Sequence, residues 1–187
     1  MSLERAKWAA VAAAAVLAFT AFSGGAHAQA FNVNKFQCST TPFGVDVDVS
    51  GLGHTDICVI GTATIGLNCA CAGGGGNCTS DAKKNTLATS STSSTEVQQK
   101  NGRAIATVTV PFSTSDAQCT TGTSPLACPS GQTAKLVSFA ADATFTLCTS
   151  NGASPCGCAT QIAEPITCGT SGTPFPGKKG SCAALFP

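Results

Sequence analysis

Ile57-Cys58-Val59-Ile60-Gly61-Thr62-Ala63-Thr64-Ile65-Gly66-Leu67-Asn68-Cys69-Ala70-Cys71 is the stretch on which the fold turns. Ile57, Val59, Ala63, Ile65 and Leu67 share one parity, and Cys69 and Cys71 continue it. Side chains that alternate with a period of two point to opposite faces of an extended chain, so this is a strand with one face toward a core. Three further stretches read the same way. Val45, Val47 and Val49 oppose Asp46, Asp48 and Ser50. Ala104, Ala106, Val108, Val110 and Phe112 oppose Thr107 and Thr109. Val137, Phe139, Ala141, Ala143, Phe145 and Leu147 form the inward parity of the last clear strand. No stretch downstream of the N-terminal apolar run sustains a helical period, so the predicted class is all-β, a small, disulfide-rich antiparallel β-sandwich.

The segments between these strands are punctuated by turn chemistry. Gly51-Leu52-Gly53-His54-Thr55-Asp56 reads as a connection, and Ala72 to Asn77, with four consecutive glycines, as a flexible loop. Lys100-Asn101-Gly102-Arg103 carries the Asn-Gly pair that supplies the positive φ angles of a tight hairpin turn. The Ser/Thr-rich stretch Thr86 to Gln99 is open to a linker or a strand, and the turn that follows favours a strand. From Thr149 the periodicity is lost. Cys156, Cys158, Cys168 and Cys182 stand there among Gly and Pro, which predicts an irregular cysteine-rich tail ordered by cross-links.

The N-terminus predicts export. Arg5 and Lys7 precede an apolar run from Trp8 to Phe22, and a small-residue segment from Ser23 to Ala30 follows. Ala26 and Ala28 suit a cut before Gln29, and Ala28 and Ala30 suit one before Phe31. An apolar run shorter than the roughly 20 residues needed to span a bilayer, closed by an Ala-x-Ala site, reads as a cleavable signal peptide. The expected organisation is a signal peptide over 1–28, a β-sandwich over 29–148 and a disulfide-tethered tail over 149–187. The expected location is outside the cytosol, periplasmic or extracellular, with no membrane span in the mature part.

Cleavage would remove the only Trp (Trp8), the only Met (Met1) and His27, leaving His54 as the sole histidine and Arg103 as the sole arginine. Eight Lys or Arg then balance eight Asp or Glu. A neutral chain whose lysines are scattered, apart from the pairs Lys83-Lys84 and Lys178-Lys179, lacks the basic stripe that nucleic acid or anionic lipid requires. The scarcity of aromatics argues against sugar binding on stacked rings. The twelve cysteines are even in number, so six bridges leave no thiol over in an oxidising compartment.

Three patterns are candidates for chemistry. His54 and Asp56 are the only histidine–acid pair of the mature part and would centre a hydrolase. No nucleophile-elbow sequence accompanies them, and a turn residue is the favoured reading. Asp46 and Asp48 present two carboxylates on one strand face, but calcium takes six to eight oxygens and no acidic loop is near, which favours a solvated face. Cys69-Ala70-Cys71 and Cys156-Gly157-Cys158 have a spacing that suits soft metals or disulfide exchange. Both uses need reduced thiols, so structural bridges to separate distant partners are favoured. Asn77-Cys78-Thr79 fits the N-glycosylation pattern, but the signal peptide looks bacterial, which argues against its use.

Gly51-Leu52-Gly53-x-x-Asp56, Cys71-x-x-x-Gly75-Gly76-Asn77, Lys100-Asn101-Gly102 and Cys128-Pro129-x-Gly131-Gln132-Thr133 together resemble the patterns of a group of small secreted bacterial β-sandwich proteins of no assigned function. The resemblance covers roughly residues 45–147. It implies a shared scaffold with one cysteine after the second strand facing one before the last, here Cys71 and Cys128. The strand positions are compatible with that pair, and Cys69, one pleat back on the same face, is its main competitor. Cys38, Cys58, Cys69, Cys78, Cys119, Cys148, Cys156, Cys158, Cys168 and Cys182 are expected to pair in a connectivity that the sequence leaves open. The expected function is a non-enzymatic binding or surface-structural module that needs no cofactor or metal. A protein or cell-surface component is the class of partner open to it. A thiol or metal-handling protein and a hydrolase centred on His54 are the rivals.

Overall fold

The computed structural model describes residues 31–40, 43–79, 82–121, 124–175 and 182–186. The proposed signal segment and the Lys178-Lys179 pair lie outside the described residues. The strands are β1 (Asn32–Thr40), β2 (Phe43–Ser50), β3 (Ile57–Gly73), β4 (Lys84–Val97), β5 (Arg103–Thr109), β6 (Gln132–Ser150), β7 (Cys158–Gln161) and β8 (Ile166–Gly172). Short 3₁₀ turns cover Asp116–Cys119 and Cys182–Leu185. All pairing is antiparallel: β1-β2-β5 make a small sheet and β4-β3-β6 the centre of a larger one, with β7 and β8 both docked on the outer edge of β6.

The two sheets share one core. Val45, Val47 and Val49 of β2 and Ala104 and Val108 of β5 pack with Ile57, Val59, Ala63, Ile65 and Leu67 of β3 and Ala141, Ala143, Phe145 and Leu147 of β6. Gly61 has the inward parity of β3, and its missing side chain is what lets the sheets close. A Cβ there would stand 2.4 Å from Val110 Cγ2 and 2.9 Å from Phe145 Cε1. The small sheet is narrower than the large one, so β4 overhangs it. The inward-parity residues Thr89 and Thr95 are exposed, and Ser91 and Ser93 only half-buried.

Several expectations change in detail. The stretch Thr86–Gln99 is strand for most of its length, not linker. The Asn101-Gly102 turn has the predicted geometry, with φ of 54° and 76°, and two backbone hydrogen bonds close Lys100 against Arg103. It is not the tip of a two-stranded hairpin, however. β4 pairs with β3 and β5 with β2, so the turn carries the chain from one sheet to the other. Val137 does not share the inward face of Phe139 and Phe145. A β-bulge opposite Asn68 and Cys69 shifts the register by one residue. Leu136 therefore enters the main core, and Val137 packs outside it with Ala70, Ala72, Cys78 and Cys182. The tail after Ser150 is cross-linked and largely aperiodic, yet it contributes β7 and β8, which are too short or too exposed to show a period. The residues of β7 are all exposed, and β8 buries Cys168 against Ala143 of β6. β1 is a further strand that the sequence did not announce, because its apolar residues are interrupted by a bulge between Val33 and Lys35.

Candidate functional site

All twelve cysteines are paired. The bridges are Cys38–Cys168, Cys58–Cys156, Cys69–Cys119, Cys71–Cys128, Cys78–Cys182 and Cys148–Cys158, with Cα separations from 5.1 to 6.0 Å. Cys71 is thus joined to Cys128 at 5.5 Å, and its competitor Cys69 takes Cys119. Members of each Cys-x-Cys pair are bonded to different partners. Cys69 and Cys71 point to the same side of β3 and clamp two points of the loop between β5 and β6. Cys156 and Cys158 clamp Cys58 and Cys148, which are directly opposed across β3 and β6.

The clamped loop forms one side of a shallow depression of about 480 Å³, lined by residues that include Asp116, Leu126, Gln132 and Lys135. Asp116 is the anchor of this region. Its carboxylate accepts the Lys135 ammonium at 2.7 Å and the Leu136 backbone N–H at 2.9 Å, next to the bulge that interrupts the β3–β6 ladder. Burial pushes the Asp116 carboxyl up, but these donors outweigh it and hold the group below its ordinary range. The Lys135 ammonium also lies 5.7 Å from the centre of the Phe175 ring. Gln132 Oε1 is buried without a hydrogen-bond partner among the described residues. Gln132 belongs to the Cys128-Pro129-x-Gly131-Gln132-Thr133 pattern, but Asp116 and Lys135 carried no sequence signal, being brought together by the seating of the stapled loop.

Asp46 and Asp48 lie on the outer face of the small sheet, as their parity predicts, and their oxygens are engaged by neighbouring strands. Lys35 of β1 donates to Asp46 at 2.8 Å and the Thr107 hydroxyl of β5 at 2.7 Å, which lowers that carboxyl. Arg103 grips Asp48 with two nitrogens and Asn34 adds a third bond, at 3.2 Å. The Arg103 hydrogen bonds pull the Asp48 carboxyl down to about 2, and Asp48 raises Arg103 in return. The pair is a cross-strand charge ladder.

His54 is exposed in the turn after β2. Asp56 does not orient it; the Asp56 carboxylate instead accepts the backbone N–H of Gln99 at 2.9 Å and ties the two turns at that end of the sandwich together. A depression beside His54 is lined by Gly53, Gln99, Asn101 and Gly102, none of which offers a nucleophile. In the Asn77-Cys78-Thr79 pattern, Cys78 is bonded to Cys182, and the Asn77 carbonyl accepts the Gly73 N–H at 3.1 Å.

The outer face of the large sheet is a field of small hydroxyls. One register row runs Thr92, Thr62, Thr144 and Thr167 across β4, β3, β6 and β8, with Thr144 and Thr167 hydroxyls 3.2 Å apart. The alternate threonines are visible in the sequence; their alignment into a row depends on pairings between distant strands. Among the described residues no helix is long and apolar enough to cross a membrane. No family model, curated protein or solved structure matches this chain.

Proposed function

We propose that this chain is an exported β-sandwich that serves as a non-enzymatic binding or surface-structural module. The observation that carries the reading is the complete use of its cysteines: six bridges fix both sheets, the loop before β6 and the C-terminal segment, and leave no thiol for exchange or metal binding. Such cross-linking suits an oxidising compartment and a body meant to hold its shape. The rival thiol chemistry needs reduced Cys-x-Cys pairs, and the rival hydrolase needs a base beside a nucleophile, whereas Asp56 is engaged with Gln99. The signal-like N-terminus and the resemblance to small secreted bacterial proteins support the same reading. Its test is the protein purified from outside the cytosol. The product is expected to begin at Gln29 or Phe31, to show no indole emission because Trp8 has been removed, and to contain no alkylatable thiol before reduction. Retention of Trp8 would overturn the export, and free Cys69, Cys71, Cys156 or Cys158 in native material would revive the thiol rival.

A further inference from the structure

We propose that β4 is a docking strand for a second copy of this chain, which adds its own β4 antiparallel so that the large sheets of two molecules run on as one. The inference concerns the folded domain and does not rest on where the protein is located.

β4 is an edge over its full fourteen residues, bonded to β3 on one side only. In an antiparallel ladder every second residue turns its N–H and C=O away from its partner strand. On β4 these outward groups meet no backbone partner among the described residues. Exposed edges of this kind template further pairing, and proteins ordinarily blunt them with charge, proline, bulges or shortness. The other edges of this sandwich are blunted in these ways. β1 carries Lys35 and a bulge; β5 is seven residues long, starts at Arg103 and is soon followed by Pro111; β7 has four residues and β8 seven. β4 has none of these features from Asn85 to Thr95: no charge, no proline, no glycine, and an unbroken register with β3. Among the described residues its bare edge is the exception.

The strand's charges name the occupant. The two charged residues of β4, Lys84 and Glu96, sit at opposite ends and carry opposite signs. Two copies paired antiparallel about Ser90 bring Lys84 of each molecule opposite Glu96 of the other. The same register sets Thr86 opposite Ser94 and Ala88 opposite Thr92, so the outer faces of both sheets stay on one side. Lys84 donates one hydrogen bond to the Leu185 carbonyl and Glu96 accepts one from the Ser150 hydroxyl. An ammonium has three donors and a carboxylate two oxygens, so each keeps capacity for the partner. A parallel arrangement or a shift by one residue would forfeit these pairs. Main-chain bonds supply the affinity in strand addition, and side-chain matching supplies the register.

The test is sedimentation of the oxidised mature protein over a concentration series, beside Ser90→Lys and Ser90→Glu. Ser90 is exposed and lies at the proposed dyad, where a lysine would face its own copy across the new ladder. The wild type is expected to pass from monomer to dimer. Either variant alone should weaken dimerisation by up to about fivefold, with an unchanged circular dichroism spectrum, because like charges directly opposite repel. An equimolar mixture of the two should dimerise again as a heterodimer, an outcome that damage to the fold would not produce. A wild type that stays monomeric to its solubility limit overturns the proposal. So does a Ser90→Lys variant as dimeric as the wild type, or a mixture that fails to recover.

Discussion

The bridges Cys69–Cys119 and Cys71–Cys128 leave β3 two residues apart and land on the same loop nine residues apart. With Cys69–Cys119 intact, Cys71–Cys128 closes a ring of only about eleven residues and contributes about 3 kcal/mol in the chain-entropy model. The converse holds for Cys69–Cys119, which closes the same ring when Cys71–Cys128 is present. Once one bridge is gone, the survivor must restrain a loop of some fifty residues, and its contribution rises to about 4 kcal/mol. Replacing Cys71 and Cys128 by alanine should therefore cost about 3 kcal/mol, as should replacing Cys69 and Cys119, while the quadruple variant should lose about 7. The coupling of about 1 kcal/mol is the signature of two staples sharing one loop. Guanidinium unfolding followed by far-ultraviolet circular dichroism reads all four corners of the cycle. If each single removal costs as much as an isolated long loop and the cycle closes with no coupling, the shared-ring reasoning is wrong.

Gly61→Ala should destabilise the fold by about 1–3 kcal/mol, because the new methyl meets Val110 and Phe145 in a packed core; an unchanged urea midpoint would contradict that packing. Asp48 is held near a pKa of about 2 in the folded state, below its unfolded value, so the stability it confers is present at neutral pH and is lost as pH falls from about 4 toward 2. Asp48→Asn should flatten that part of the acid limb in melting temperatures measured against pH, and an identical limb would refute the assignment. His54→Ala should leave the unfolding midpoint within about 0.5 kcal/mol of wild type, since the side chain is exposed; a larger loss would show a role for His54 that the turn geometry does not contain.

What the sequence made legible was the part of the fold governed by period and turn chemistry. The alternation in Val45–Val49, Val59–Leu67 and Phe139–Leu147 survives because each of these stretches has one buried face and one more exposed one, whereas at the ends of β3 Cys58 and Ala70 are buried on the outer face as well. The Asn101-Gly102 turn was equally plain, because only certain residues accept its backbone angles. Where that turn sends the chain was hidden: whether β5 returns along β4 or crosses to β2 depends on which apolar faces it can cover. Val137 was misplaced because a bulge leaves no mark in an apolar run where both Leu136 and Val137 can be buried. The cysteine connectivity depended on the same distant pairings. Cys58 and Cys148 stand opposite one another, yet both are bonded to the tail, and no local spacing encodes that choice. Asp116 and Lys135 leave no local mark for a related reason, being nineteen residues apart and joined by the seating of a stapled loop.

Cys38–Cys168 joins β1, the first strand of the sandwich, to β8, the last. Considered as a mechanical element, the domain thereby acquires a shortcut. Tension applied between Phe31 and Phe186 runs seven residues to Cys38, crosses the bridge, and continues eighteen residues from Cys168. At about 3.5 Å per residue the chain can extend roughly 90 Å before covalent bonds stop it, against roughly 180 Å, by way of Cys78–Cys182, without the bridge. Cys182 on that path is bonded to Cys78, so load from the C-terminal side also enters the sandwich just after β3. A pull would peel β1, while the fourteen residues from Cys168 to Cys182 limit the separation that can be imposed between Cys38 and Cys78 to roughly 50 Å.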